Sequence, residues 1–291
     1  MNVTKKGIRK MKDQIIRTSN KSEIQHGKYN DRIYLMKLDE NDLPSILEEM
    51  NNLARENNYG KIFAKVPLWA VPFFKSDGYI TEAYIPRFIK GEQDIHFVSK
   101  FLSSDRLAGI ETGKLEGMSK ILQGSRIKKN TGSKIPEYNI EVLNENDAVR
   151  LTNIFKKVFK SYPFPIHDPE FIIKSMRDNT VYFGIRDEQS GEFRAVSSSE
   201  VDTVNLNAEM TDFAVLESER GKKFSIALLK RMEEHMKEIN MKTLYTIARL
   251  NSPPMNKTFL RMGYRYTGTL IKNTNISGNI ESMNVLYKSI V

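Results

Sequence analysis

The chain has 291 residues with 45 Lys and Arg against 36 Asp and Glu, a net charge of +9, so a nucleic acid and a small anionic ligand both come into consideration. It has no cysteine, which excludes disulfides, thiol catalysis and Cys-based metal sites. No run of about 18 apolar residues occurs, and the basic N-terminus MNVTKKGIRKMKDQIIR lacks the apolar core of a signal peptide, so a cytoplasmic protein without a membrane span is expected. Apart from that start and RIKKNTGSK at 126–134, the cations are scattered. The charge therefore reads as diffuse surface charge plus an anion pocket, and no nucleic-acid partner is expected.

Residues 1–28 are polar and weakly patterned, and read as a basic tail or a short helix. A first unit follows over 29–102. RIYLMKL predicts a strand, LPSILEEMNNLAREN a helix capped by Asn41 or Asp42, KIFAKVP a strand and AVPFFKS a short helix closed by Gly78-Tyr79. ITEAYIPRFIK and DIHFVSKFL are its last two strands. The Ser-, Gly- and Lys-rich stretch 103–135 reads as a connector with a helix near LEGMSKILQGSRIKK.

A second unit is expected over 136–291. YNIEVL is a strand, AVRLTNIFKKVFKSY a helix capped by Asn146 or Asp147, and DPEFIIKSMRD another helix. VYFGIRD and FRAVSSSEVD form a hairpin across Gln189-Ser190-Gly191. EMTDFAVL is a strand that leads through Arg220-Gly221-Lys222 into the helix FSIALLKRMEEHMKEI. KTLYTIA is a strand, and NSPPMNKTFLRMGY a short helix ending at Gly263. YTGTLIK and SMNVLYK close the chain as strands. The order of elements at 29–101 recurs at 209–289, with Gly78-Tyr79 where Gly263-Tyr264 stands, which predicts a degenerate internal repeat. The first copy has Asn-Asp in place of Arg-Gly.

The turn at 220–225 carries chemistry. The first N–H groups of a helix lack partners and the dipole is positive there, so a diphosphate fits. Gly221 lets the backbone come close, and Arg220, Lys222 and Lys223 add charge. Phe224 and Ser225 supply the first helical N–H groups. A solvated helix cap is the alternative.

Strand, Arg-Gly turn, long helix, strand, short helix, Gly-Tyr and two strands together resemble the second half of a GNAT-type N-acetyltransferase. YPFPIHDP at 162–169, ERGK at 219–222, YTIAR at 245–249 and GTLIKNTNISGNIESMNVLYK at 268–288 resemble, within it, the β-lysine N6-acetyltransferase subfamily. The resemblance implies an α+β GNAT fold: a mixed, largely antiparallel sheet flanked by helices, preceded by a degenerate GNAT-like half domain. It implies acetyl-CoA as cosubstrate and a small-molecule amine as acceptor, β-lysine in the first place. The expected product is an acetylated zwitterion that serves as a compatible solute. Another amine, or a non-catalytic acyl-CoA-binding module, is the alternative. A homodimer is compatible with the sequence.

Amine acetylation needs a proton acceptor, because a lysine-type amine with a pKa of about 10.4 is protonated at neutral pH. Glu209 is the first candidate. Asp212 is the second, although the two point to opposite faces of a regular strand unless a bulge intervenes. Backbone N–H groups of Phe213, Ala214 and Val215 are implied as pantetheine and oxyanion partners. The family pattern departs here at Lys223 and Ser225 of the turn, and at Phe259, where many members carry a tyrosine as thiolate acid. Tyr264, Tyr245 and Tyr266 are substitutes, core packing being the alternative for each. Asn251 and Asn256 are expected to steady the pantetheine arm or to cap a helix. Arg249 is a candidate for the substrate carboxylate, and Tyr162, His167, Asp168 and Glu281 for the pocket wall. The four His have no metal spacing, and no metal is expected.

Overall fold

The computed structural model describes residues 13–18, 20–107, 112–127, 136–160, 162–276 and 278–290, with the backbone alone for 124–127. The basic stretch 1–12 and most of RIKKNTGSK lie outside the described residues. Two compact units emerge: 1–81 with 96–109, and 82–95 with 110–291.

The first sheet is built from β1 (Gln14–Arg17), β2 (Glu23–Gly27), β3 (Arg32–Lys37), β4 (Lys61–Pro67), β5 (Ile80–Ile89) and β6 (Gln93–Phe101), in the order β1-β2-β3-β4-β6-β5. Helices α1 (Ser45–Asn57), α2 (Val71–Ser76) and α3 (Ser104–Leu107) belong to the same stretch of chain. β3 and β4 run parallel, with Arg32 opposite Lys61 and Leu35 opposite Ala64. A parallel pair needs a crossover, and α1 supplies it. Its apolar face, Ile46, Leu47, Met50 and Ala54, packs in one core with Ile33, Leu35, Ile62 and Ala64. The expected tail thus contains two strands. β2 buries Ile24, Gln25 and His26 while pairing with β3.

The turn between β3 and α1 is acidic. Asp42 is buried and accepts hydrogen bonds from Thr18 Oγ1 at 2.6 Å, Asn20 Nδ2 at 2.9 Å and the Ser22 N–H at 3.3 Å. Burial alone would raise this carboxyl, but the hydrogen bonds from Ser22, Thr18 and Asn20 outweigh it and hold the group low. An ionised carboxylate here repels a diphosphate.

The second unit adds α4 (Thr112–Ile127), β7 (Glu141–Val142), α5 (Ala148–Val158), α6 (Pro169–Arg177), β8 (Thr180–Arg186), β9 (Phe193–Asp202), β10 (Asn207–Val215), α7 (Phe224–Glu238), β11 (Thr243–Arg249), α8 (Pro253–Arg261), β12 (Arg265–Ile276) and β13 (Asn279–Ser289). The sheet order is β12-β13-β11-β10-β9-β8-β7, with β10 and β11 parallel. One face buries Phe224, Leu228, Leu229, Met232 and Met236 of α7. The other packs against Leu151, Ile154 and Phe155 of α5 and Ile172 of α6. Asn144 and Asp147 form a capping box around the single turn 145–147, and Asp147 is the N-cap of α5 without a side-chain bond into it, its Oδ1 instead binding Arg186 at 2.6 Å.

β8 through β13 with α7 and α8 repeat β1 through β6 with α1 and α2 in element order and in sheet order. The likeness extends to side chains. Gly78 (φ 84°) and Gly263 (φ 87°) both take the left-handed conformation. The Tyr79 N–H donates to Phe74 O and the Tyr264 N–H to Phe259 O, both at 3.1 Å. Phe74 and Tyr79 rings meet edge-on at 5.1 Å, Phe259 and Tyr264 at 4.9 Å. Lys100 and Lys288 each set Nζ 5.7 Å from the tyrosine ring centre.

Residues 82–95, the tip of the β5–β6 hairpin, count with the second unit. Phe88 packs on Tyr245 with ring centres 5.2 Å apart, Thr243 Oγ1 donates to Arg87 O at 2.6 Å, and the Ile271 N–H donates to Glu82 Oε1 at 2.7 Å. A Cβ built on Gly268 would lie 2.0 Å from Glu82 O, a backbone atom that cannot swing aside. Gly268→Ala is therefore expected to cost about 1–3 kcal/mol in urea unfolding. Gly117→Ala in α4 meets nothing within 4 Å and is expected to be neutral or stabilising. Equal effects would show that the hairpin tip yields.

Candidate active site

β10 changes faces in mid-strand. Its pairing with β9 is regular from Asn207 to Thr211, slips, and resumes at Ala214 opposite Val196. The extra residue is a bulge, and Asp212 takes φ 52° there. Before the bulge Ala208 and Met210 face the α7 core; after it Phe213 and Val215 do, while Ala214 joins the α5–α6 core. Glu209, opposite Glu200, and Thr211, opposite Ser198, lie on the α5–α6 face. Asp212 joins them, since its Oδ2 accepts from Ser198 Oγ at 2.6 Å. The two candidate carboxylates thus share a face, which a regular strand forbids.

Asp212 Oδ1 accepts a short hydrogen bond from the Tyr162 hydroxyl. Burial raises the Asp212 pKa, and the hydrogen bonds from Ser198 and Tyr162 only partly oppose that rise. Burial, and then the charge of Asp212, push the Tyr162 phenol well up. The neighbouring Thr211 hydroxyl partly opposes that rise, and the Phe159 ring packs 5.0 Å from the Tyr162 ring. Sequence reasoning missed Ser198. Its signal is the run Ser197-Ser198-Ser199, buried polar residues in the middle of an apolar strand.

Beyond the bulge β10 and β11 separate. Their pairing ends at Glu209 opposite Tyr245, although β11 runs on to Arg249. The Leu216 N–H donates to Arg194 O at 3.1 Å. Alternation then turns the Ala214 amide towards β9 and the Phe213 and Val215 amides into the gap. Of the three expected main-chain partners, Ala214 is therefore spent in the ladder.

The Arg-Gly turn sits at the head of α7. Gly221 has φ 86° and Lys223, the N-cap, φ 62°. A Cβ on Gly221 would meet nothing within 4 Å. Ile226 and Ala227 N–H groups reach Lys223 O, which leaves those of Phe224 and Ser225 without an acceptor inside the helix. The Phe224 ring is buried, 4.9 Å from the Arg194 guanidinium, so this residue offers its backbone alone. Arg220 pairs with Glu217 at 3.3 Å and Lys222 with Glu219 at 3.0 Å, so both cations are already neutralised.

The other expected residues divide. Asn256 is wholly buried and its amide is spent: Nδ2 donates to Arg249 O and Ser252 O, and Oδ1 accepts from Asn284, all at 2.9 Å. It braces the start of α8 rather than a pantetheine arm. Asn251 differs, since its Oδ1 is buried and has no partner among the described residues. Tyr264 lies behind Phe259, which itself packs 5.6 Å from Phe213. Burial and Glu233 push its phenol well up, and Lys288 holds Glu233 at 2.7 Å. That buried cluster is no source of a proton for a thiolate. Arg249 makes a two-pronged pair with Glu281, at 2.9 and 2.6 Å, on the same face as Tyr245 and Glu209. Glu281 thus orients Arg249 instead of lining a wall. Asp168 is exposed and caps α6 through the Glu170 N–H at 3.1 Å. His167 Nε2 is buried without a partner among the described residues.

Among the described residues no group of three or more His, Asp or Glu is placed to hold a metal ion, and no helix is long and apolar enough to cross a membrane. An acyl-CoA fits the gap on two counts. The space in front of Gly221 is open, and the orphaned Asn251 Oδ1 needs a donor such as a pantetheine amide.

The profile of the acetyltransferase (GNAT) family matches residues 149–264. The chain is 40% identical to the β-lysine N6-acetyltransferase of Methanococcus maripaludis over 92% of its own length and 96% of the relative's. It is 29% identical to the enzyme of the same name from Methanosarcina mazei over 80% of this chain and 92% of that one. It is 28% identical to the N-acetyltransferase YodP of Bacillus subtilis, covering 92% and 95% of the two chains.

Gly221→Val puts a branched side chain in a left-handed residue and into the space before the helix N–H groups. It is expected to raise the Kd for CoA about tenfold or more in calorimetric titration, since αL strain of about 1–2 kcal/mol adds to the lost approach. Gly191→Val, at another left-handed glycine with open surroundings, is expected to leave that Kd alone. Equal effects would remove the diphosphate from this turn.

Proposed function

Because the chain belongs to the GNAT family of acetyltransferases, and is an acetyl-CoA-dependent N-acetyltransferase, we propose that its acceptor is β-lysine, acetylated on the terminal N6 amine. The observation that carries this reading is the 40% identity to a β-lysine N6-acetyltransferase along nearly the whole of both chains. The charge layout of the sheet face supports it. β-Lysine brings two ammonium groups and one carboxylate at neutral pH. Glu200, Glu209 and Asp212 lie together on the α5–α6 face, and Arg249 stands at the end of the next strand on that face. Acetylation removes one positive charge and leaves a neutral zwitterion, a form suited to a compatible solute.

The two carboxylates take different roles. Asp212 is buried with a raised pKa, so it is the better proton acceptor for the amine. Glu209 is less buried, and serves as the ammonium's electrostatic partner. Bound acetyl-CoA supplies the activated acetyl thioester. The turn at 220–225 holds its diphosphate, Asn251 its arm, and the Phe213 and Val215 amides face the gap where thioester oxygen charge would need donors. A thiol ionises near pH 8.5, so the missing tyrosine at Phe259 does not block departure.

Purified protein mixed with acetyl-CoA and each lysine isomer, with free thiol followed, tests the substrate. β-Lysine is expected to show much higher kcat/KM than α-lysine, because polar groups that grip the second amine stay unpaired with the wrong isomer. Equal rates would indicate a broad amine acetyltransferase. Asp212→Asn is expected to lower kcat by about 10²-fold or more. Glu209→Gln is expected to act mainly on the KM of the amine, by about tenfold or more, the size of a hydrogen bond to a charged group. The base must be ionised to work. With its pKa raised, the wild-type rate should fall away on acidification at a higher pH than an ordinary aspartate would dictate.

A further inference from the structure

We propose that Tyr162 is the relay through which the acceptor amine's proton reaches Asp212. The inference rests on the acetyl-transfer reading above and adds a residue and a route to it. Both oxygens of Asp212 are covered by hydroxyls, Oδ1 by Tyr162 and Oδ2 by Ser198, and the residue is 9% exposed. Ser198 is wholly buried, whereas Tyr162 is only partly so. Of the two hydroxyls that cover the carboxylate, that of Tyr162 thus belongs to the residue with access to solvent, and a proton bound for Asp212 is routed through it.

That oxygen is held in place. Its own proton points to Asp212, and the ring rests on Phe159 at 5.0 Å. The backbone that carries it is stiffened by Pro163 and Pro165 and tied down where Asp168 caps α6. Tyr162 is no base by itself. Burial and the neighbouring carboxylate make its phenolate too costly to persist. A concerted shift avoids that cost. The ammonium proton bonds to Tyr162 Oη as the phenolic proton passes to Asp212 Oδ1. The amine gains its lone pair, Tyr162 stays neutral, and Asp212 becomes a neutral acid. Reversal to water after product leaves restores the carboxylate.

The route makes a prediction that simple packing does not. Tyr162→Phe keeps the ring but breaks the relay. Its kcat with β-lysine is expected to fall about 10²-fold or more, with the Kd for CoA held near wild type as evidence of folding. Ser198→Ala removes a hydrogen bond that lowers the Asp212 pKa but spares the route. Its acid limb in kcat/KM is expected to move to higher pH with a much smaller loss of kcat. If Tyr162→Phe stays within about threefold of wild type and shifts the acid limb as Ser198→Ala does, Tyr162 is a plain hydrogen-bond donor and the relay is overturned. A Tyr162→Phe loss that Asp212→Asn does not reproduce would overturn it as well. Wild-type protein that binds CoA but releases no thiol with β-lysine would instead overturn the acetyl-transfer reading, and the relay with it.

Discussion

The extra residue in β10 is the constraint on which the site depends. A strand without it would keep Asp212 on the α7 face, buried among Met210, Leu228 and Met232. With it, side-chain alternation inverts, and Asp212 swings to the face that holds Glu209 and Thr211. The same slip ends the ladder to β11 and turns the Phe213 and Val215 amides into the gap. A non-glycine residue in the left-handed region costs about 1–2 kcal/mol. Two hydroxyl bonds to a buried carboxylate, at about 1.5–3 kcal/mol each, offset it. Either bond alone is enough to balance that strain, so Tyr162 and Ser198 share the task of holding the bulge that presents Asp212.

The anion turn follows a related logic. Its cations are not loose: Glu217 and Glu219 pair with Arg220 and Lys222, and Arg194 also reaches Glu219. The exposed Arg220–Glu217 pair is worth at most about 1 kcal/mol, so it can open when a stronger anion arrives. What the turn offers without rearrangement is backbone: the left-handed Gly221 and the first N–H groups of α7. A diphosphate accepts from more N–H groups at once than a single carboxylate does, so it is the anion such a backbone suits better, with the side chains adding charge at the edge.

Much of this architecture is legible in the sequence because it is written in local patterns. Proline, glycine and helical spacing mark α7, α8 and the Gly-Tyr pairs, and the order of elements exposes the repeat. β1 and β2 escape notice because QIIR and EIQHG are short and flanked by polar residues: β1 is exposed along its length and held by pairing with β2, and the burial of β2 depends on β3 rather than on its own pattern. The site is less legible. Tyr162 and Asp212 are fifty residues apart in sequence. Only the bulge brings them together, and no alternation rule foretells a bulge. Arg249 and Asn256 are polar residues at the expected places, but two donors of Arg249 go to Glu281 and the Asn256 amide oxygen goes to Asn284, both on β13, the strand beside β11 and about thirty residues on in sequence. Asp168 is the opposite case. Asp-Pro-Glu is a local helix start, and the cap outweighs the pocket role.

The repeat itself separates fold from function. The first copy has an acidic turn built around Asp42 in place of Arg-Gly, and this turn disfavours a diphosphate. Yet that copy keeps the left-handed glycine, the edge-on Phe74–Tyr79 pair and Lys100 over the tyrosine ring, at distances within a few tenths of an ångström of those around Tyr264. An arrangement retained where the anion turn is lost is serving the fold. It closes the short helix onto the last strand in both units. Tyr264 is accordingly a packing residue, and Phe259 serves beside it without a hydroxyl because the ring is what the contact with Phe213 requires. The protonic work falls to Tyr162, carried on an α5–α6 segment that among the described residues belongs to the second unit, and to Asp212. The bulge itself belongs to the repeat: β3 also slips by one residue against β2, between Leu35 and Lys37, but it carries Met36 where β10 carries the carboxylate.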